Sequence, residues 1–211
     1  MGKVRSLVYA VGLSWLCAGS ALAIPITFSF TGAVTDDPFG LSSFGAPITG
    51  SYTFNSAAVD SIASPANGSF ASVGAAFGFT ANVDGTTYSV PGTLTVNTAN
   101  NIVGGDQYGA IALNSLLTLE LFFQDASGTA LASDALPLLP PAIASFGFRQ
   151  FRLFTTDDSA QFLGSVNSLT CTAGCSVTPP PSAVPEPSSL LLLVGLVLAG
   201  LGCVRARRST A

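Results

Sequence analysis

The sequence predicts an all-β protein, an antiparallel β-sandwich of jelly-roll-like topology, flanked by an N-terminal signal helix and a C-terminal transmembrane helix. Three observations carry this. Apolar and polar residues alternate with period two in run after run between Ile24 and Val177, turn-forming pairs separate the runs, and both chain ends are apolar stretches with basic flanks. Alternate side chains of a strand point to opposite sides, so each alternating run has one core face. Short strands punctuated by turns indicate an antiparallel sandwich or barrel, and the sandwich is the expectation here.

The runs follow in order. Ile26, Phe28 and Phe30 alternate with Thr27, Ser29 and Thr31, and Ile48, Tyr52 and Phe54 alternate with Thr49, Ser51 and Thr53. Phe77, Phe79, Ala81 and Val83 form the next inward set, ahead of Asp84-Gly85. That pair suits a two-residue type I′ hairpin turn, because Asp and Gly tolerate the positive φ needed at both central positions. Leu94 and Val96 lie between Thr93, Thr95 and Asn97, and Leu117, Leu119, Leu121 and Phe123 alternate with Leu116, Thr118, Glu120 and Phe122. Asn67-Gly68, Gly104-Gly105 and Ser127-Gly128 read as turns. Asp134 to Leu139 has room for a short helical turn before Pro140 and Pro141. From Phe146 to Phe154 the phase breaks: Phe146 and Phe148 fall on one face, Phe151 and Leu153 on the other. A strand covered on both faces, or a bulge, accounts for that.

The N-terminus reads as a three-part secretory signal peptide. Lys3 and Arg5 precede an apolar stretch from Leu7 to Ala18, and Ala21-Leu22-Ala23 fits a small-residue cleavage site with cutting before Ile24. At the other end, Leu190 to Val204 is 15 residues without a charge, followed by Arg205, Arg207 and Arg208. With Ser188 and Ser189 it approaches the lower length limit of a membrane-spanning helix, and flanking arginines stay on the cytoplasmic side. Prolines 179, 180, 181, 185 and 187 keep the approach extended and accessible to a processing enzyme. The expected organisation is a signal peptide over 1–23, a β-sandwich domain over 24–177, a Pro-rich linker over 178–184, and a terminal segment over 185–211.

Pro185-Glu186-Pro187-Ser188, an apolar segment and Arg205-Ala206-Arg207-Arg208, in that order, resemble the PEP-CTERM sorting signal. The resemblance covers the last 25 residues or so. It implies a Gram-negative bacterium that makes extracellular polysaccharide, an inner-membrane-anchored precursor, and a membrane-embedded exosortase that recognises the tail, cuts near the triplet and passes the protein to the cell surface. Pro185, Glu186 and Pro187 are then substrate residues for another enzyme. Ile48–Ser61 and Ala130–Phe154 resemble segments of the β-rich bodies of PEP-CTERM proteins, which implies a fold and a destination more than a chemistry.

Between Ile24 and Val184 two arginines, Arg149 and Arg152, stand against ten acids, a net charge of −8. Such a surface has no electrostatic footprint for nucleic acid. The chain contains no histidine, which excludes Ser-His-Asp and Cys-His units and the usual zinc sites. No phosphate-binding glycine loop stands at a strand–helix junction, and no cofactor is expected. Cys171 and Cys175, in the run CTAGC, are expected to form a disulfide after export to an oxidising compartment.

Three readings of the central domain follow. The favoured one is a non-enzymatic surface or matrix protein. The second is a carbohydrate-binding module or adhesin, for which Tyr52, Tyr88 and Tyr108 would supply a stacking face. The third is a glycan hydrolase, which needs two converging carboxylates such as Glu120 and an aspartate. Asp36-Asp37 and Asp157-Asp158 offer oxygen ligands for calcium but lack an EF-hand spacing, and read as loop residues.

Overall fold

A computed structural model describes residues 24–157 and 160–175. The predicted signal helix, the linker, the sorting segment with its transmembrane helix, and Asp158 lie outside the described residues. Eight strands follow one another along the chain: β1 (Pro25–Asp36), β2 (Pro47–Asn55), β3 (Asn67–Val83), β4 (Thr86–Ile102), β5 (Gly105–Leu113), β6 (Leu117–Asp125), β7 (Phe148–Thr155) and β8 (Gln161–Ala173). Each pairs antiparallel with the next, and β8 returns to pair antiparallel with β1. The result is a closed up-and-down barrel. The expected all-β class is present, and the expected sandwich is not. Alternation gives every strand one inward face in either architecture, so the pattern could not separate two facing sheets from one sheet closed on itself.

Closure needs strands that bend, and the ladder shows where they do. The β1–β8 register slips between Thr27 and Phe28, between Thr31 and Gly32, and between Val34 and Asp36. On the β3–β4 pair, Val73 faces Thr93 and Gly78 faces Pro91. Gly74 to Phe77 thus bulge opposite Gly92, which reverses the inward phase of β3 from Phe70 and Ser72 to Phe79, Ala81 and Val83. Bulges of this kind kink a strand and raise its local twist. Phe77 sits in the bulge, half-buried, outside the inward set it was expected to head.

Turn chemistry explains the hairpins. Asp84 and Gly85 have φ of 50° and 87°, and Val83 pairs with Thr86 across them, as a type I′ turn requires. Asn67-Gly68 is not a turn. The chain reverses at Pro65-Ala66, where Ser64 bridges to Asn67, and Asn67 opens β3. The prolines 140 and 141 are not preceded by a helical turn; one turn of 3-10 helix follows them at Ile143–Ser145. It delivers Phe146, 2% exposed, to the core before β7 begins. The phase break at Phe146–Phe154 therefore marks a loop-to-strand junction rather than a bulge or a doubly covered strand. Phe148 faces out, and Phe151 and Leu153 face in.

The lumen is filled with rings. Phe28, Tyr52, Phe54, Phe79, Phe30 and Phe151 form one chain of contacts, with centroids 5.2–6.4 Å apart. Tyr108, Phe123 and Phe146 form a second, at 5.6–5.8 Å. Glycine makes room where a ring must pass: the space of a side chain at Gly50 is taken by the Phe30 ring. The two groups meet through Tyr52 and Tyr108, whose hydroxyls are 2.7 Å apart, both fully buried. Burial pushes both phenols well above their ordinary pKa, so both stay neutral and their hydrogen bond satisfies polar atoms that water cannot reach.

This contact yields a cycle. Tyr108→Phe leaves the Tyr52 hydroxyl buried without its partner and should cost ~1–3 kcal/mol, whereas the double change to Phe should cost less than the two single changes summed. Urea denaturation of the four proteins checks this; strict additivity would show that the hydroxyl pair is not coupled.

Candidate functional site

The residues marked by the sequence do not gather in one place. Cys171 and Cys175 are joined in a disulfide at the end of β8, Cα atoms 6.2 Å apart. Pro185, Glu186, Pro187, Arg205, Arg207, Arg208, Ala21 and Ala23 lie outside the described residues. The tyrosines that the second reading needed for a stacking face do not form one. Tyr52 and Tyr108 are inside the barrel, and Tyr88 is half-buried against Phe162, centroids 5.9 Å apart. These positions share the inward phase of their strands, and that phase is filled by the core. Asp37 caps its own loop, its carboxylate accepting hydrogen bonds from the backbone N–H of Phe39 and Ser42. Among the described residues no group of three or more acids and cysteines is placed to hold a metal ion.

Two buried carboxylates escaped the sequence reading. Asp106 and Asp125 face each other across the β5–β6 ladder and are 0% and 7% exposed. Asp125 accepts hydrogen bonds from the backbone N–H of Ser127, Thr129 and Ala130 and from the Ser127 hydroxyl. Asp106 accepts from the N–H of Asn101 and Leu131. Together they hold the start of the β6–β7 loop against the β4–β5 turn. A signal was present: Asp125 continues the inward series Leu117, Leu119, Leu121, Phe123. A carboxylate at such a position needs several donors to be buried at all. The hydrogen bonds, the Thr129 N–H first and the Ser127 groups next, hold the Asp125 carboxyl down at about 2.

The outer wall carries the remaining candidate, a groove of 270 Å³ lined in part by Ile62, Asn97, Gln107, Gly109, Glu120 and Phe122. The register explains the grouping. Asn97 of β4 pairs with Gly109 of β5, and Gly109 pairs with Phe122 of β6. Alternation turns Asn97, Gln107, Glu120 and Phe122 away from the lumen. Ile62 comes from the β2–β3 loop, which Asp60 fixes by accepting hydrogen bonds from the N–H of Ser69 and Ile62, at 2.9 Å each. Those bonds also lower the Asp60 pKa, Ser69 contributing most. On the far side Arg152 ties the wall together. It donates to Glu120 at 3.3 Å and to Gln150 at 2.6 Å, and lies 5.0 Å from the centroid of the Phe122 ring. Phe148 meets the same ring edge-on at 6.1 Å. Glu120 is the one carboxylate in the groove lining.

Comparison with known proteins adds one finding. Residues 183–208 match the family described as the PEP-CTERM protein-sorting motif. That span contains the triplet, the apolar run and the arginines. No curated protein and no solved structure matches the chain. The motif marks an exported protein with a membrane-anchored precursor and an exosortase as its sorting partner.

The Asp125 cradle makes stability depend on acid. Its folded pKa, about 2, lies below the ordinary carboxylate value of about 3.9. The stabilisation is therefore complete above about pH 4 and is lost as pH falls through about 2. Thermal melts from pH 5 to pH 2 should show this loss in the native protein and a shallower dependence in Asp125→Asn. Equal slopes would show that the cradle does not depend on the charge.

Proposed function

We propose, from a chain that carries the PEP-CTERM protein-sorting motif, that this is a non-enzymatic domain of the cell surface or extracellular matrix of a Gram-negative bacterium. On this reading the chain enters the export pathway through residues 1–23, is cut after Ala23, and is held in the inner membrane by the segment that ends at Arg205–Arg208. An exosortase cuts near Pro185–Pro187 and releases the barrel outward. The observation that carries the reading is the sorting motif at residues 183–208.

Three features of the barrel support the non-enzymatic part of this reading. Its lumen is packed with rings and leaves the chemistry to the outside. Its two buried carboxylates accept hydrogen bonds from backbone N–H groups of the neighbouring loops, and Glu120 is engaged with Arg152. A glycosidase places two carboxyl groups about 5–9.5 Å apart on either side of the bond it cuts, and among the described residues the groove lining offers one, Glu120.

Intact-mass spectrometry of cell-bound and secreted fractions from the native host tests this. The secreted form should begin at Ile24 and end near Pro185–Pro187. Glu186→Ala should accumulate a membrane-bound form that retains Arg205–Arg208. A native protein found solely in membranes with those arginines intact would make the tail a permanent anchor and overturn the sorting step.

A further inference from the structure

We propose that the outer groove over Gly109 is a binding subsite for a neutral saccharide. The proposal goes beyond export and stands without it, because the groove is built from the start of β3, from β4, β5 and β6, and from the β2–β3 loop.

Gly109 forms part of the groove lining. A Cβ at Gly109 would meet nothing closer than 3.6 Å, the Leu121 carbonyl oxygen, with Asn97 Cβ at 4.0 Å. Its φ is not in the left-handed region. Neither backbone conformation nor packing calls for glycine there, and glycine in the interior of a strand weakens it. Its effect is to leave a depression between Asn97 and Phe122, of the kind that admits the close approach of a ligand.

A sugar ring presents apolar C–H faces and a rim of hydroxyls that both donate and accept. Phe122 offers an aromatic surface to the first, held in place by Phe148 and Arg152. Asn97 and Gln107 offer amides to the second, and neither amide is engaged by the protein among the described residues. An amide both donates and accepts, which matches a hydroxyl's own duality. Glu120 adds an acceptor. The volume, about 270 Å³, lies just below the range of drug-sized ligand sites and suits one or two sugar units of a longer chain.

Charge and sheet topology argue against two other occupants. A body of net charge −8 whose Arg152 is already paired with Glu120 repels a polyanion. A peptide that adds as a strand needs a free sheet edge, and β4, β5 and β6 are hydrogen-bonded on both sides.

Calorimetric titration tests the site, using the full chain in a detergent without a sugar headgroup. The probes are cellopentaose, maltopentaose, mannopentaose and an oligogalacturonate. At least one neutral pentaose should bind in the millimolar range or tighter. Its affinity should fall ~10-fold or more in Phe122→Ala and in Gly109→Val, the latter filling the depression. Ser29→Ala, on the opposite wall, should bind as the native protein does. Should either groove variant fail to fold, Asn97→Ala and Gln107→Ala, judged by native melting, serve the same comparison. The proposal is overturned if no neutral pentaose binds, if the oligogalacturonate alone binds, or if the groove variants retain native affinity.

Discussion

Pairing between β1 and β8 closes the sheet, and the other properties of the domain follow from that closure. An open sheet of eight strands would leave two edges of unpaired backbone groups, an invitation to aggregation in an exported protein. Closure removes both edges, and it forces all inward side chains into one lumen. The seam is where the chain adapts most. Asn167 is the extra residue between Val166, opposite Gly32, and Ser168, opposite Thr31. Gly164 leaves space for the side chain of Ile48, and Gly174, with φ of 73°, lies against the Pro25 carbonyl. The Cys171–Cys175 disulfide ties the end of this seam strand. Its short loop adds little to the entropy of closure, so its effect is local, at the point where the barrel gives way to the chain that carries the sorting motif.

Closure also separates inside from outside. Hydroxyl pairs line the outer wall, among them Thr27 with Thr53, Ser29 with Thr172, Thr31 with Ser168 and Thr80 with Ser89. Aromatic and aliphatic residues fill the interior. This is the reverse of an outer-membrane barrel, which is apolar outside and polar within. A wall of neutral hydroxyls keeps the surface polar with little charge, and any ligand must be met there, because the lumen is occupied. The groove over Gly109 is such a place, where the wall replaces paired hydroxyls with the Phe122 ring and the Asn97 and Gln107 amides.

The sequence disclosed some of these features and hid others for physical reasons. Period-two alternation identified Phe28, Phe30, Leu119, Leu121 and Phe123 as inward residues, and Asp84-Gly85 located a hairpin, because both signals are local. Closure is not local: nothing near Phe28 announces that Cys171 will pair with it from the far end of the chain. The alternation was also under-used. Tyr52 shares the phase of Ile48 and Phe54, which leaves its hydroxyl in need of a buried partner, and Asp125 extends the phase of Phe123 beyond the run read from the sequence. A tyrosine partner across the lumen and a set of backbone donors satisfy them, and neither is visible one strand at a time. Nothing in the sequence singled out Gly109; register sets it between Asn97 and Phe122. The segments Ile48–Ser61 and Ala130–Phe154 hold most of β2 and β7, which contribute Tyr52, Phe54 and Phe151 to the lumen.

The account rests on a barrel that closes by itself and needs nothing from the tail it is sorted by. Amide hydrogen exchange along β1 and β8, measured on the full precursor and on the protein from which residues beyond Val184 have been removed, tests this directly. Equal protection of Phe28, Phe30, Val166 and Leu169 in both forms is the expected result. Loss of protection along that seam once the tail is gone would mean that the sorting segment holds the barrel shut, and would contradict the view of an independent domain carrying a separable signal.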